Sequence, residues 1–390
     1  MLPLFLLSFA VSFGAAYLTL RFEHLHRHIT GDVALSGSHK VHRLAVSRIG
    51  GASVFIGWLA ALIVSGFSHR LAPEAIAVWL LCLLPAFAGG LMEDMTKRIK
   101  PSARLVACFV SAALAYALLG ASVSRVEIAG IDALLAVPAL SFVFTCFAVG
   151  GLAHAINIID GLNGLASGVC LIALIAIGYV ASQVHDSEIL LMSGLAAGAV
   201  IGFRVWNYPS GRIFCGDGGA YFLGALVAIL STLLVRRHAQ VSAWFPLLVV
   251  LYPVWETIFS AYRRRVLRGR PASAADKLHM HTLVYKRMKQ SSNGGQARTR
   301  RNSDAAILVI LFACGSALPA VLWWNEGTYL LLTAMAYVLL YCVVYRRLVR
   351  FGAARKTVLG TMGASYVAHR ESALHRAAAR RAAREGSKLP

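Results

Sequence analysis

The amino-acid sequence predicts an all-α, polytopic membrane protein. Of its 390 residues, 58% are hydrophobic and only 14% are charged, whereas soluble domains carry about 25% charged residues. The hydrophobic residues also form runs of about 17 to 25, the length that an α-helix needs to cross a bilayer. We therefore expect about eleven transmembrane helices.

The eleven runs follow one another through most of the chain. They cover residues 2–20, 49–67, 74–92, 103–120, 134–151, 162–182, 189–205, 219–235, 243–259, 305–323 and 329–345. The first run has no basic segment before it and is as long as a full span, so we interpret it as a retained helix and not as a cleaved signal peptide. We expect residues 1–348 to form one integral-membrane domain, followed by a basic tail over residues 349–390.

The formal net charge of +21 raises the question of a nucleic-acid partner. However, 34 of the 38 Lys and Arg residues lie in the odd-numbered connections and the C-terminal tail. Because cytoplasmic connections carry an excess of Lys and Arg, this pattern predicts an N-terminus outside and odd-numbered connections inside. The predicted cytoplasmic loops lie near residues 21–48, 93–103, 152–162, 206–218 and 260–304. Topology thus accounts for the charge, and we expect membrane-lipid contacts but no nucleic acid.

The most informative stretch is HAINIIDGLNGLASG, residues 154–168, between two apolar runs. It places Asn157, Asp160 and Asn163 among three glycines. Glycine lets the backbone come close to a ligand, and the amides and the carboxylate supply hydrogen-bond donors and acceptors. We predict a site for a polar ligand; the alternative is a Gly- and Asn-rich turn between two helices.

Two adjacent acids, Glu93 and Asp94, end the third apolar run. Neighbouring carboxylates at a membrane edge are costly unless a cation or a proton lies between them, so they suggest a divalent metal or a catalytic base. The alternative is ordinary pairing of helix-end acids with Lys97 and Arg98.

Another acid, Asp217, stands in the motif NYPSGRIFCGDGG just before the eighth run. Glycines around a carboxylate at a helix start leave backbone N–H groups free nearby, which suits a metal and its phosphate ligands. A GDGG sequence alone is also compatible with a simple turn.

Basic residues precede the second run in SHKVHRLAVSRIGG. Lys40, His42, Arg43 and Arg48 suit the oxygens of a diphosphate or a lipid phosphate. Each of them is equally compatible with a plain positive-inside signal.

The longest predicted cytoplasmic loop contains ADKLHMHTLVYKR, with Asp276, His279 and His281. Two histidines at i and i+2 do not share a helix face, which argues against zinc and favours a loop whose imidazoles contact phosphate. Glu256 is the one acid well inside a predicted span. We expect it either to pair with the arginines at 263–265 or to line the site.

Taken in this order, the motifs NIIDGLNGLASG, RIFCGDGGAYFLG and HMH resemble those of the polyprenyl-phosphate N-acetylhexosamine-1-phosphate transferase family. The colinear resemblance runs from Lys40 to Arg287. It implies a membrane enzyme with ten or eleven helices that transfers a sugar-1-phosphate from a UDP-sugar to undecaprenyl phosphate and releases UMP. It also implies Mg²⁺ as cofactor, with Mn²⁺ as an alternative, and the bacterial cytoplasmic membrane as the location; it permits a homodimer.

The resemblance extends to individual residues. The family's Asp–Asp pair matches Glu93 and Asp94; the Glu leaves open which of the two is the base or nucleophile, and we expect Asp94 to be the essential member. Asn163 stands where the pentapeptide-transferase branch has Asp, which indicates the branch with simpler hexosamines. The resemblance implies catalytic roles for Glu93, Asp94 and Asp160, a Mg²⁺ ligand in Asp217, a uracil-stacking ring in Phe214, and further substrate contacts from Asn157, Asn163, Lys40, His42, Arg48, His279 and His281.

Two other function classes are compatible with parts of this pattern. A transporter would also have many spans and basic loops, but transporters usually place their polar groups near the bilayer midplane. A lipid diphosphate phosphatase would share the acids and histidines but would not need a uridine site. Among UDP-sugar donors, those of GlcNAc, GalNAc and the 6-deoxy amino sugars are all compatible with the sequence.

Overall fold

The computed structural model describes residues 1–25, 46–267, 269, 276, 278–288 and 295–350. In this part of the chain the regular structure is helical, apart from one isolated parallel β-bridge between Ser47 and Ile213. The helices are α1 (Leu2–Arg21), α2 (Gly50–Phe67), α3 (Pro73–Thr96), α4 (Pro101–Leu114), α5 (Ala129–Leu135), α6 (Pro138–Ile159), α7 (Leu165–Gln183), α8 (Ser187–Asn207), α9 (Gly216–Arg237), α10 (Trp244–Val249), α11 (Leu251–Tyr262), α12 (Met280–Arg287), α13 (Gly295–Leu322) and α14 (Gly327–Arg350). Two short π-helical turns, Ala115–Leu119 and Arg263–Leu267, extend α4 and α11.

Ten helical segments among the described residues are long and apolar enough to cross a membrane. They are α1, α2, α3, α4 with its π-helical turn, α6, α7, α8, α9, α13 and α14. The prediction of an all-α, polytopic membrane protein is confirmed.

The ninth predicted span, residues 243–259, is not one helix. It consists of α10 and α11, which meet at Val250. Pro253 explains the break, because proline has no N–H to donate to the carbonyl of Val249, and its ring would collide with that carbonyl. The expected eleven spans are therefore ten continuous helices and one broken segment.

Helix α9 lies at the centre of the bundle. The structure buries 94% of its most apolar 18-residue window, and its neighbours include α2, α3, α6 and α7. Small residues permit this packing: a Cβ added to Gly51 on α2 would overlap the main chain of Gly219 on α9. Close backbone approach through glycine is a common way to pack membrane helices.

The chain divides into two compact units, Met1–Leu339 and Leu340–Pro390. Every described site residue considered below belongs to the first unit. The basic tail that we predict over residues 349–390 lies almost entirely outside the described residues, so its separation from the membrane domain stays a prediction.

Candidate active site

Three of the connections that the sequence singles out meet at the first turn of α9. Asp94, in the last turn of α3, accepts hydrogen bonds from the main-chain N–H groups of Asp217 at 2.9 Å and Gly218 at 2.8 Å. Asn157, near the end of α6, donates its side-chain N–H to Asp217 Oδ1 at 2.9 Å. Residues 60 and 123 positions apart in the sequence thus share one site.

The position of Asp94 follows from the geometry of a helix start. The first N–H groups of a helix have no partner within the helix, and the helix dipole favours negative charge there. Asp94 is 2% exposed, and Gly216 makes room for it: this residue has φ +71, and a Cβ at this position would lie 2.6 Å from Asp94 Oδ2. The GDGG motif is therefore a cradle for a carboxylate that comes from another helix.

Asp160 occupies the adjoining position. It follows the last residue of α6 and accepts a hydrogen bond from the N–H of Gly216. Burial raises the pKa of its carboxyl group from 3.8 to about 6, although Arg48 and the Gly216 N–H act in the opposite direction. Together, Asp94 and Asp160 satisfy three successive N–H groups at the start of α9 with two carboxylates.

Arg104, at the start of α4, is a site residue that the sequence analysis does not identify. Its guanidinium forms an ion pair with Asp217 Oδ2 and lies 5.9 Å from the centre of the Tyr221 ring. Its side chain is only 13% exposed. In sequence it is one of several cations in a basic connection, and no spacing distinguishes it from the others.

Glu93 and Asp94 face different surroundings despite being adjacent. Glu93 Oε2 accepts the main-chain N–H of Ile99 at 2.7 Å, which ties it to the connection between α3 and α4. Asp94 instead reaches α9. The geometry thus separates the two acids, with Asp94 in the carboxylate cluster and Glu93 bonded to the loop that follows it.

The histidine segment lies beside the Asp160 connection. His281 is 4% exposed, and its Nε2 lies 2.7 Å from where a Cβ on Gly161 would be. Burial lowers the pKa of His281 to about 4, so this imidazole is neutral at pH 7. The rings of His279 and His281 are stacked, with centroids 5.4 Å apart and planes 3° from parallel.

Glu256 contacts the histidine segment, while the two alternatives considered from the sequence, pairing with an arginine at 263–265 or lining the site, stay predictions. It is fully buried, and its carboxylate binds the Nδ1 atom of His279 at 2.9 Å and the N–H of Met280 at 3.1 Å. Arg263, one of the arginines considered as its partner, forms an ion pair with Asp276.

Asn163 and Phe214 have contacts apart from the carboxylate cluster. Asn163 is 1% exposed; its main chain donates to Asn302 Oδ1 at 2.7 Å and its side chain donates to the carbonyl of Pro209 at 3.3 Å. The main chain of Phe214 bonds to Ser47 at 2.9 Å and to Gly50 at 3.0 Å. Their substrate contacts stay predictions.

Only one of the three basic residues that we expect to bind substrate ahead of α2 is among the described residues. Arg48 lies two residues before α2, and its charge acts on both Asp94 and Asp160. Lys40 and His42 lie outside the described residues. A phosphate-binding role of all three stays a prediction.

The side chains of the site are compatible with Mg²⁺ if water and substrate phosphate supply most of its ligands. No group of three or more His, Cys, Asp or Glu residues in the described part of the chain is arranged to hold a metal ion. Mg²⁺, however, often binds through one or two carboxylates and completes its coordination with water and substrate phosphate. The buried Oδ2 of Asp217, which here faces the charge of Arg104, is an atom that such an ion could use.

The fold and the site define a polytopic membrane protein with a cluster of acidic side chains at one end of its helix bundle. Residues 76–235 match glycosyl transferase family 4. The family resemblance found in the motifs is thereby confirmed.

Similar proteins agree with this match. The chain is 29% identical over 255 residues to the "probable undecaprenyl-phosphate N-acetylglucosaminyl 1-phosphate transferase" of Bacillus subtilis, a match that covers 64% of this chain and 69% of the relative. It is 28% identical to the undecaprenyl-phosphate alpha-N-acetylglucosaminyl 1-phosphate transferase of Thermotoga maritima, over 64% of this chain and 72% of the relative. A shorter match, 35% identical over 121 residues, covers 30% of this chain and 34% of the phospho-N-acetylmuramoyl-pentapeptide-transferase of Streptococcus equi subsp. zooepidemicus.

Proposed function

We propose that this protein transfers a sugar-1-phosphate from a UDP-sugar to undecaprenyl phosphate, yielding undecaprenyl-diphosphate-sugar and UMP. The observation that carries the proposal is the convergence of Asp94, Asp160 and Asp217 at the first turn of α9. The names of the relatives support it and make UDP-N-acetylglucosamine the first donor to test. Such a transfer would be the first membrane step of a cell-surface glycan pathway.

The chemistry requires positive charge and a proton acceptor. A phosphate oxygen of the lipid attacks the β-phosphorus of the UDP-sugar, and the oxygen that bridges the two phosphorus atoms leaves with UMP. Both substrates are anions, so cations such as Arg48 and Arg104 have to offset their repulsion. Asp160, with a pKa of about 6, is mostly ionised at pH 7 and suits the removal of the proton from the lipid phosphate. Of the adjacent acids Glu93 and Asp94, we expect Asp94 to be the one that the reaction requires, because it lies in the carboxylate cluster.

Mg²⁺, with Mn²⁺ as an alternative, is the proposed cofactor. Asp217 would hold the ion, with phosphate oxygens completing its coordination. When bound, the ion would supply charge that stabilises the transferring phosphoryl group. The support for this assignment is the buried Oδ2 of Asp217, whose charge Arg104 compensates in the described structure.

We place the site at the cytoplasmic face of the bacterial inner membrane. The distribution of Lys and Arg supports this orientation, because 34 of the 38 lie in the odd-numbered connections and the tail. At that face a water-soluble UDP-sugar and a membrane-bound acceptor can reach the same end of the bundle. The homodimer that the resemblance permits stays a prediction.

The test is an assay of UMP release. Purified full-length protein in detergent is given undecaprenyl phosphate, Mg²⁺ and a panel of UDP-sugars, with and without EDTA. We expect UMP to appear with one sugar, only when the lipid and the metal are both present. Lipid-linked sugar should form in equal amount, as measured by mass spectrometry.

Two outcomes would contradict the proposal. Free phosphate released from undecaprenyl diphosphate in a parallel reaction, with no UMP formed in the first assay, would instead indicate a lipid diphosphate phosphatase. No UMP with any donor, from protein that unfolds cooperatively on heating, would favour a non-enzymatic role such as transport. The similar proteins support neither of these alternatives.

A further inference from the structure

Glu256 is a fully buried acid in α11. A buried carboxylate is unfavourable unless it is paired and hydrogen-bonded. Glu256 is paired through both oxygens: Oε1 lies 2.9 Å from His279 Nδ1, and Oε2 accepts the N–H of Met280 at 3.1 Å. Both partners belong to the short histidine segment that begins α12.

The Glu256 contact determines which nitrogen of His279 carries hydrogen. With Glu256 as a carboxylate, which can only accept hydrogen bonds, Nδ1 is the donor in this contact; that form of His279 is the one we infer below. Nε2 is then the ring nitrogen that is left to contact a ligand. Nε2 lies 4.0 Å from Asp276 Oδ2, which is too far for a hydrogen bond.

Asp276 has its own partner and does not compete for this nitrogen. Burial acts to raise the pKa of Asp276, but the charges of Arg263 and His279 and the N–H of Leu278 bring it below its usual value. Asp276 is therefore ionised at neutral pH and paired with Arg263. Among the described residues, the charged groups near His279 include Glu256 from α11 and Asp276, whose partner is Arg263, and the neutral His281 is stacked on its ring.

The same contacts position the second histidine. His281 is one residue beyond Met280, whose N–H Glu256 holds, and its ring stacks on His279. Its Nε2 faces Gly161, the residue after Asp160. A continuous series of contacts therefore leads from Glu256 to the connection that contains Asp160.

We infer that Glu256 is a positioning residue for the transfer reaction: it fixes the Nδ1–H form of His279 and anchors the start of α12, so that the histidine pair faces substrate phosphate beside Asp160. This inference rests on the proposed function. Glu256 itself touches neither substrate; it acts through His279.

The test compares Glu256→Gln and Glu256→Asp with a matched control. Asp186 also pairs with an imidazole, at 3.0 Å from His238 Nε2, and it caps α8 through Ile189. It lies at the opposite end of the 19-residue helix α7 from the Asp160 connection, about 28 Å away along the helix axis. Asp186→Asn thus breaks the same kind of pair far from the site.

Steady-state UMP release between pH 5.5 and 9 provides the first measurement. We expect Glu256→Gln to lower kcat about 10- to 100-fold, with less than a threefold change in KM for the UDP-sugar, and to alter the pH profile of kcat. Glu256→Asp should recover part of the rate because it keeps the carboxylate. Asp186→Asn should lower the unfolding temperature but keep the wild-type kcat and pH profile. A Glu256→Gln protein with wild-type kcat and profile would overturn the inference, and so would equal effects of Asp186→Asn.

The second measurement does not depend on activity. In ¹⁵N-histidine-labelled wild-type protein, ring ¹⁵N shifts distinguish the two neutral forms, and His279→Gln assigns the signal. We expect hydrogen on Nδ1 of His279; hydrogen on Nε2 alone would overturn the inference even if the variants fail to fold. If the expected form is found but the wild-type protein releases no UMP, the proposed function fails and the role in catalysis fails with it, whereas the Glu256–His279 pair stands.

Discussion

Asp94 binds the main chain of Asp217, so the side chain of Asp217 can bind other partners. The Asp94 carboxylate accepts the N–H groups of Asp217 and Gly218, while the Asp217 carboxylate faces Asn157 and Arg104. Two acids can therefore be close without directing their charges at one another. The start of α9 stabilises one acid, and an arginine from α4 stabilises the other.

This arrangement predicts different outcomes for the two adjacent acids. Asp94→Asn should lower the rate of UMP release about 100-fold or more, because it removes a charge from the carboxylate cluster. Glu93→Gln should keep the rate within about tenfold, since a Gln oxygen can still accept the Ile99 N–H. A steady-state assay of both variants decides between them, and the reverse order of effects would assign the chemistry to Glu93.

Asp217→Asn should remove metal-dependent turnover without preventing folding. The amide can still accept from Asn157, but it lacks the charge that holds a divalent cation. We expect a loss of about 100-fold or more in UMP release, with membrane insertion and expression like those of the wild type. Retention of more than a small part of the wild-type rate at saturating Mg²⁺ would contradict a metal-binding role.

Arg104→Gln should make stability more dependent on metal. Without the guanidinium, the buried Asp217 carboxylate has lost its compensating charge, a change that typically costs about 3 to 5 kcal/mol. We therefore expect a lower unfolding temperature in EDTA and a larger rise on adding Mg²⁺ than the wild type shows. Arg98→Gln, which removes an exposed cation from the same connection, is the control. Equal responses to Mg²⁺ in both variants would show that Arg104 and the ion do not share a position.

The pH dependence should report Asp160. Its pKa of about 6 predicts that kcat/KM falls about tenfold per pH unit below pH 6, because the proton-accepting form is lost. The raised pKa also means that the folded state favours the protonated form of Asp160. The resulting contribution to the free energy of unfolding is fully present below pH 3.8 and is lost as the pH rises through about 6. Asp160→Asn should therefore raise the unfolding temperature more at pH 7.5 than at pH 4.5. An acid limb near pH 4 would assign the base to a different residue.

Gly51→Ala should destabilise the protein strongly. The added methyl group would overlap the main chain of Gly219, so α2 and α9 would have to separate, at a cost of about 1 to 3 kcal/mol or more. Gly14→Ala in α1 is the matched control, because a Cβ there meets nothing within 4 Å and alanine favours the helix. Thermal unfolding in detergent compares the two; similar unfolding temperatures would contradict the close packing of α2 and α9.

The sequence predicts the helices well because bilayer thickness fixes the length of an apolar run. It fails at residues 243–259, where composition alone indicates one span and Pro253 breaks it. The period and polarity of that segment do not reveal the break. Only the missing N–H of Pro253 points to it.

Residues of the candidate site were predictable where a carboxylate stands among glycines between two apolar runs, as at Asp160 and Asp217. Arg104 was not, because a cation in a basic connection has the same appearance whether it directs topology or pairs with an acid. The bond from Asp94 to the start of α9 spans 123 residues, and no local pattern encodes such a distance. Glu256 was recognisable as unusual, but its bond to His279 depends on how the segment before α12 folds back onto α11.

The central position of α9 has a consequence for biosynthesis. Among the described residues, the helices that pack most extensively on α9 are α2, α3, α4, α6, α7 and α8, and these six precede it in the chain. Proteins are made and inserted from the N-terminus. These neighbours are thus already in the bilayer when the ribosome delivers α9. The acid cluster is assembled by the insertion of this one helix, since its first turn supplies the N–H groups that Asp94 and Asp160 need, and a nascent chain that stops before α9 would leave both acids without them.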